Sequence, residues 1–487
     1  MRVIRLGIFL LRHFVKTPAT KQAVSTWPAA ALVVSNMIGT GVFMSLGWQV
    51  AGFTHPDGTS MLSGSVLPII LVWVVGGILA LCGALCYAEL ATALPRSGGE
   101  YNFLSRIYHP MVGFCTGLCS ATIGFAAPIA ASALVFGDYF CRAWPGFAHF
   151  IPNNTVHALA LILVTLSTLC HLRSLRFTGV FQTGIAAVTV FLLMAFVIFG
   201  FSKTPTPSVS FAPHLSDLNL SVLGSFWASL IWVMYSYSGW NAASYIVGEV
   251  RNPAKALPRA LILGTLFVIV LYVAVNSVFL YTTPMRQFLD TTPKGEIVGE
   301  PEVAHIAGVS IFGPTGARIA SGLICVGLIA NVSGMMWVGS RVTEAIGTTY
   351  PALGLLGRTS ATRVPYVALI YQFIIVFALL FMDPENIVNY VGSVLLFWSL
   401  LAVLGVIVLR FREPNLLRPY RTWGYPVTPI IFALITFFCL VQNARFYPWQ
   451  TFISAATVLI GIPIYLCVSR NVPVEQLRGE TLPQSSL

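Results

Sequence analysis

Two short stretches carry the residues best suited to chemistry. The first is Ile38-Gly39-Thr40-Gly41-Val42-Phe43, and the second is Tyr235-Ser236-Tyr237-Ser238-Gly239-Trp240-Asn241. Each lies deep in an apolar run. Glycine loses more backbone entropy in a helix than any other residue, so Gly-x-Gly in such a run is a place for a helix to unwind. Unwound backbone at that depth is tolerated only where protein buries it or it lines a cavity. The chemistry on offer is therefore backbone chemistry. A helix that restarts after a break presents free N–H groups and the positive end of its dipole. The amides of Thr40, Gly41 and Val42 suit a carboxylate, and the Thr40 hydroxyl adds a donor. The carbonyls freed at Met37, Ile38, Tyr235 and Ser238 suit an ammonium. An α-amino acid carries both groups. The alternative reading is that the glycines only let helices approach closely, as small residues do in membranes.

The elements that must hold these stretches are set by composition. The chain has 487 residues, of which 56% are hydrophobic and 9% charged, against roughly 25% charged in a soluble domain. Its natural solvent is a bilayer. A spanning helix needs about 20 mostly apolar residues, and twelve segments qualify, near 27–53, 64–94, 111–142, 156–171, 178–201, 221–248, 257–281, 314–346, 364–382, 385–410, 425–443 and 449–469. The expected fold is an all-α membrane protein of 12 transmembrane helices, with spans 1 and 6 broken. Breaks five spans apart occupy matching positions in two halves of opposite orientation, the pattern of a transporter binding site. With the N-terminus inside, most of the 27 Lys and Arg fall in inner gaps, so both termini are expected in the cytoplasm. Residues 1–24 read as a basic amphipathic segment on the membrane surface, 25–470 as one domain, and 471–487 as a disordered tail.

The remaining residues narrow the function. The net charge of +11 is spread through short gaps rather than gathered on a soluble face, so nucleic acid is not an expected partner; the lipid bilayer is. The 9 cysteines show no metal spacing, and no HExxH, GxSxG or phosphate-binding loop occurs, so no metal, cofactor or enzymatic activity is expected. Asn331 and Ser333 are polar and deep in span 8. They suit a pocket wall or a sodium site shared with span 1 carbonyls, or else plain hydrogen bonding between helices. No acidic residue is expected at the breaks, which favours a neutral amino acid over a cationic one.

With these residues in view, the chain resembles the amino acid–polyamine–organocation superfamily, near its L-type and cationic amino acid transporter branches. Four stretches carry the resemblance in family order: Ile38–Phe43; Tyr87-Ala88-Glu89-Leu90 with Pro95-Arg96-Ser97-Gly98-Gly99-Glu100-Tyr101; Tyr237–Asn241; and Glu249-Val250-Arg251-Asn252-Pro253 with Leu257-Pro258. The resemblance implies a five-plus-five inverted repeat with two extra C-terminal helices, and an amino acid permease or antiporter working by alternating access in the plasma membrane. It places carboxylate binding on Thr40 and Gly41, with Tyr235 as an aromatic gate. Gly239 and Asn241 join the site, and Asn241 matches the neutral large-amino-acid branch. Many relatives carry a span 5 lysine that contacts the span 1 break. Here Thr189 aligns near that position, or Val188 with a one-residue slip, so the coupling ion, H+ or Na+, stays open. Heteromeric relatives bear a cysteine between spans 3 and 4 for a disulfide to a heavy chain. The loop near 143–155 has none, so no covalent heavy-chain partner is expected. A cationic amino acid or amine exchanger, and a non-transporting sensor on the same fold, are the alternatives.

Overall fold

Apolar runs bounded by Pro, Gly and charged residues fold as helices. The computed structural model describes residues 24–478, except 56, 63–64, 149–150, 152–153, 206–208, 293–296, 300–301, 383 and 471. The amphipathic reading of the N-terminus therefore lies, but for Val24, outside the described residues.

The first apolar segment is two helices, α1 (Thr26–Met37) and α2 (Gly41–Gly52). Next come α3 (Leu67–Ala93) and a short α4 (Glu100–Ile107). The third segment is also divided. α5 (Pro110–Cys119) passes through a π-helical turn, Ser120–Gly124, into α6 (Ala126–Ala143). Then follow α7 (Thr155–Arg173), α8 (Leu175–Phe201) and α9 (Leu220–Ser236); α9 continues, after a break, as a 3₁₀ segment, Ala242–Glu249. α10 (Pro253–Thr282) starts with proline, whose missing N–H has no helical partner at that position anyway. α11 (Val303–Thr349) bends at Gly313, where φ is +73° just before Pro314. α12 (Tyr366–Leu379), α13 (Pro384–Arg412), α14 (Val427–Phe446) and α15 (Pro448–Val468) complete the bundle. Among the described residues, ten helices, counting α1–α2 and α5–α6 once each, are long and apolar enough to cross a membrane, and α9 and α12 are shorter apolar helices. The chain is an integral membrane protein.

Two features depart from expectation. A small antiparallel hairpin, β1 (Leu289–Thr291) and β2 (Ile297–Gly299), pairs Leu289 with Gly299 and packs its Gly299 against the backbone of α2. Part of the C-terminal tail is folded rather than disordered. α16 (Val474–Arg478) packs on α4 and α5, with Leu477 buried. An apolar side chain with a place to dock orders a segment that polar composition alone would leave loose.

The broken helices lie at the centre. α1 packs on α8, α10 and α11, while α3 packs on α9 and α10. α11 packs along α6 and α8. α15, by contrast, is mostly exposed, as a helix facing lipid would be. The chain just before α1 is tied to the chain just after the 3₁₀ segment: the Val24 N–H donates to Glu249 O (3.0 Å), and the Arg251 N–H to Val24 O (2.8 Å).

Candidate functional site: two facing breaks

α1 ends at Met37, and the helix resumes at Gly41. The Ile38 N–H still reaches Val34 O (2.9 Å), but the Gly39 N–H turns to Met37 O (2.9 Å) and the Phe43 N–H to Thr40 O (3.1 Å). The first N–H groups of any helix lack a partner within it. Here those of Thr40, Gly41 and Val42 donate to no carbonyl among the described residues.

The second break follows Ser236. Ser238 N–H closes a turn on Tyr235 O (2.9 Å), Gly239 sits at φ +97°, and Ala242 N–H returns to Gly239 O (3.1 Å). The left-handed region favours glycine because it has no Cβ to clash. The chain does not return to a regular α-helix; it continues as the 3₁₀ segment to Glu249.

The breaks touch each other reciprocally. A Cβ on Gly239 would lie 2.7 Å from both C and O of Asn36. A Cβ on Gly41 would lie 2.5 Å from Cα of Ser236. The missing side chain of Gly41 thus faces the backbone of the opposite break, the close approach that small residues permit. Ser45 bridges the same contact, donating to or accepting from Ser236 Oγ at 2.6 Å.

A small cavity opens between the breaks, lined by Met37, Gly39, Thr40, Gly41, Tyr235, Ser238 and Asn331, with Pro128 and Ser132 of α6. A larger chamber shares Asn36, Pro128, Tyr235, Ser238 and Met335 with it and runs along the second break. Its walls include Phe125, Gly239, Trp240, Asn241, Tyr245 and Leu396. The structure thus gathers nearly all of the residues singled out at the breaks. Ile38 and Val42 bury their side chains elsewhere and offer only backbone. Two others lie apart. Ser333 donates to Gln182 Oε1 (2.7 Å) and meets His171 Nε2 (3.0 Å), away from the cavity. Thr189 donates to Ile185 O of its own helix (2.9 Å).

The carbonyls at the end of α1 are largely occupied. Asn331 Nδ2 donates to Ser35 O (3.1 Å) and Asn36 O (3.0 Å), while its Oδ1 accepts from Ser132 (3.0 Å). Tyr272 of α10 donates to Met37 O and lies 3.4 Å from Ser236 O. One phenol therefore holds both breaks, and nothing in the sequence pointed to it. The carbonyls of Ile38 and Ser238 have no donor among the described residues, which leaves them for an ammonium.

An acid does stand beside the second break, contrary to expectation. Glu100 is buried and accepts from Asn241 Nδ2 (2.8 Å), from Tyr87 OH (2.7 Å) and from Tyr245 OH. The signal was present in Gly98-Gly99-Glu100. Gly98 (φ +115°) and Gly99 (φ +55°) make a turn whose Gly98 N–H donates to Tyr245 O (3.1 Å), so the loop seats on the 3₁₀ segment. The π turn at Ser120–Gly124, beside chamber residues Gly124 and Phe125, was also missed; such turns often mark functional positions.

A helical membrane protein that faces two unwound segments across an internal cavity has the form of a carrier. The chain belongs to the amino acid permease family, whose sequence profile matches residues 24–466. It is 28% identical to the large neutral amino acids transporter small subunit 2 of Mus musculus, over 92% of this chain and 81% of that protein. It is 24% identical to the Asc-type amino acid transporter 1 of Rattus norvegicus, over 92% of this chain and 81% of that protein. It is 26% identical to the b(0,+)-type amino acid transporter 1 of Mus musculus, over 92% of this chain and 88% of that protein.

Proposed function

We propose that this permease is a secondary active transporter of neutral L-amino acids that works by alternating access. One observation carries the reading. The amides of Thr40, Gly41 and Val42, without an acceptor among the described residues, lie beside a small cavity also lined by Tyr235 and Ser238. The substrate carboxylate sits on the helix start, where N–H groups and dipole favour an anion. Its ammonium takes the carbonyls of Ile38 and Ser238. Its side chain enters the larger, mainly apolar chamber between Phe125, Trp240 and Leu396. Tyr235, which lines both spaces, is the gate over the substrate.

The arrangement of twelve spans, as two inverted five-helix repeats plus two, follows from the matched breaks and supplies the rocking halves. The plasma membrane, with both termini cytoplasmic, is the expected setting. The name of the first relative above, a small subunit, raises a partner chain; with no cysteine in the loop near 143–155, we propose that no covalent one is needed. Asn331, fully engaged in capping α1, acts as a cavity wall rather than an ion ligand.

A cationic substrate is the second reading, and Glu100 is the observation in its favour. The carboxyl stands behind Asn241 and Tyr245 rather than on the cavity wall, so a neutral substrate remains the better match. The test is uptake by purified protein in liposomes preloaded with mixed amino acids, using labelled leucine, alanine, arginine and glutamate. Saturable uptake of leucine or alanine is expected, and uptake of arginine alone would transfer the assignment to the cationic class. Folded protein that binds an amino acid but moves none of the four would be a sensor.

A further inference from the structure

Three glutamates sit inside the helix bundle, and their partners differ in kind. Glu89 accepts two hydrogen bonds from Arg410 (2.9 and 2.6 Å) and one from the Thr422 N–H (2.7 Å), with Arg418 at 3.4 Å. Glu249 pairs with Arg341 at 2.5 Å. Glu100 is held by neutral groups: the phenols of Tyr87 and Tyr245 and the amide of Asn241. The first two thus have a fixed positive charge beside them. Glu100 has no such charge among its donors, which are two phenols and an amide.

The surroundings keep it so. The titratable groups facing Glu100 are Tyr87 from α3 and Tyr245 from the 3₁₀ segment. On the chamber side stand Phe125, just before α6, and Leu395, Leu396 and Ser399 of α13, all uncharged. On its own helix, Arg106 turns to Glu413 (2.7 Å), and in the preceding loop Arg96 donates to Thr349 Oγ1 (2.7 Å). Two of the three donors to Glu100, Asn241 and Tyr245, line the chamber. The carboxyl is therefore one side chain removed from the substrate space and is bonded to the movable part of the second break.

We propose that Glu100 binds a coupling proton, an inference that rests on the transport reading above. A proton arriving from the chamber adds to a Glu100 oxygen. The carboxylate loses its charge and one acceptor position, and the new O–H must donate. Asn241 then loses the anion that holds its amide, and the break beyond Gly239 is freed to shift. When the proton leaves on the opposite side, the three donors close on the carboxylate again. A neutral amino acid that crosses with this proton carries one positive charge.

The experiment compares labelled alanine and leucine uptake in proteoliposomes at equal pH and with an inside-alkaline gradient. Counterflow between equal internal and external amino acid at uniform pH runs in parallel and reports transport alone. The gradient is expected to stimulate the natural protein several-fold. Glu100→Gln loses the stimulation, whatever rate of uptake remains. Glu100→Asp keeps a carboxyl but draws it off its donors, so stimulation persists at a reduced level. Counterflow with no response to the gradient overturns the proton role and leaves the transport reading standing. Undiminished stimulation in Glu100→Gln also overturns it. Should that variant fail to fold, undiminished stimulation in Glu100→Asp overturns it instead. Absence of counterflow in the natural protein overturns both readings.

Discussion

The two breaks meet the same difficulty, unwound backbone deep in an apolar bundle, in different ways. The first is three residues long and resumes at once as a regular α-helix. Its freed carbonyls are held by Asn331 from α11 and Tyr272 from α10, two buried side chains on separate helices. The second turns on one glycine at φ +97° and resumes as a 3₁₀ segment, the poorer helix. Two of its side chains, Asn241 and Tyr245, share the carboxyl of Glu100. The first break is clamped by side chains of two other helices; the second shares Tyr272 with it and leans on Glu100 besides. On the proposed function this divides the labour: the first break binds and the second moves.

The largest test of that division is to force the breaks apart. Gly239→Ala places a Cβ at positive φ and 2.7 Å from the Asn36 backbone, at a cost of about 2–4 kcal/mol. Gly41→Val drives the same wedge from the other side, against Ser236. Both variants are expected to abolish substrate binding in an equilibrium binding assay and to lower the melting temperature. Normal binding by either would mean that the reciprocal contact is not what shapes the cavity.

A smaller effect sharpens the comparison. Asn331→Ala and Tyr272→Phe each leave a carbonyl of α1 without its donor, worth about 1–3 kcal/mol for a buried group. Both should raise KM for uptake about tenfold with kcat nearly kept, the mark of lost uniform binding. Asn241→Ala, in the moving break, should lower kcat more than it raises KM. The same KM-to-kcat pattern from all three would erase the distinction between the breaks. The smallest effect belongs to Thr189→Ala, since its hydroxyl bonds only within its own helix; uptake should stay within about twofold. A tenfold loss would return Thr189 to the site.

Much of this was legible in the residues. All twelve apolar segments contain helix, and the Gly-x-Gly stretch and Gly239 do mark the two interruptions. Thr40, Gly41, Tyr235, Ser238 and Asn241 do line the cavities. Other residues were decided only by packing. Ser333 is two positions from Asn331 on the same helix, yet a step of two places it on another face, toward His171 and Gln182. No acid was expected at the breaks, yet the two-glycine turn before Glu100 carries it back to the second one. Tyr272 lies in an unremarkable apolar stretch, where a tyrosine is as readily a packing residue as a cap.

By itself the sequence determined the solvent, the apolar segments that become helices and the two glycine-marked breaks. Hydropathy and glycine act over one helix length, so they are read without knowing any neighbour. The tertiary structure alone decided which side chains complete the site. Tyr272 meets Met37 across 235 positions, Asn331 meets Asn36 across 295, and Asn241 meets Glu100 across 141. A buried carbonyl or carboxylate must find a donor, and in a packed bundle that donor is whichever distant helix face lies alongside.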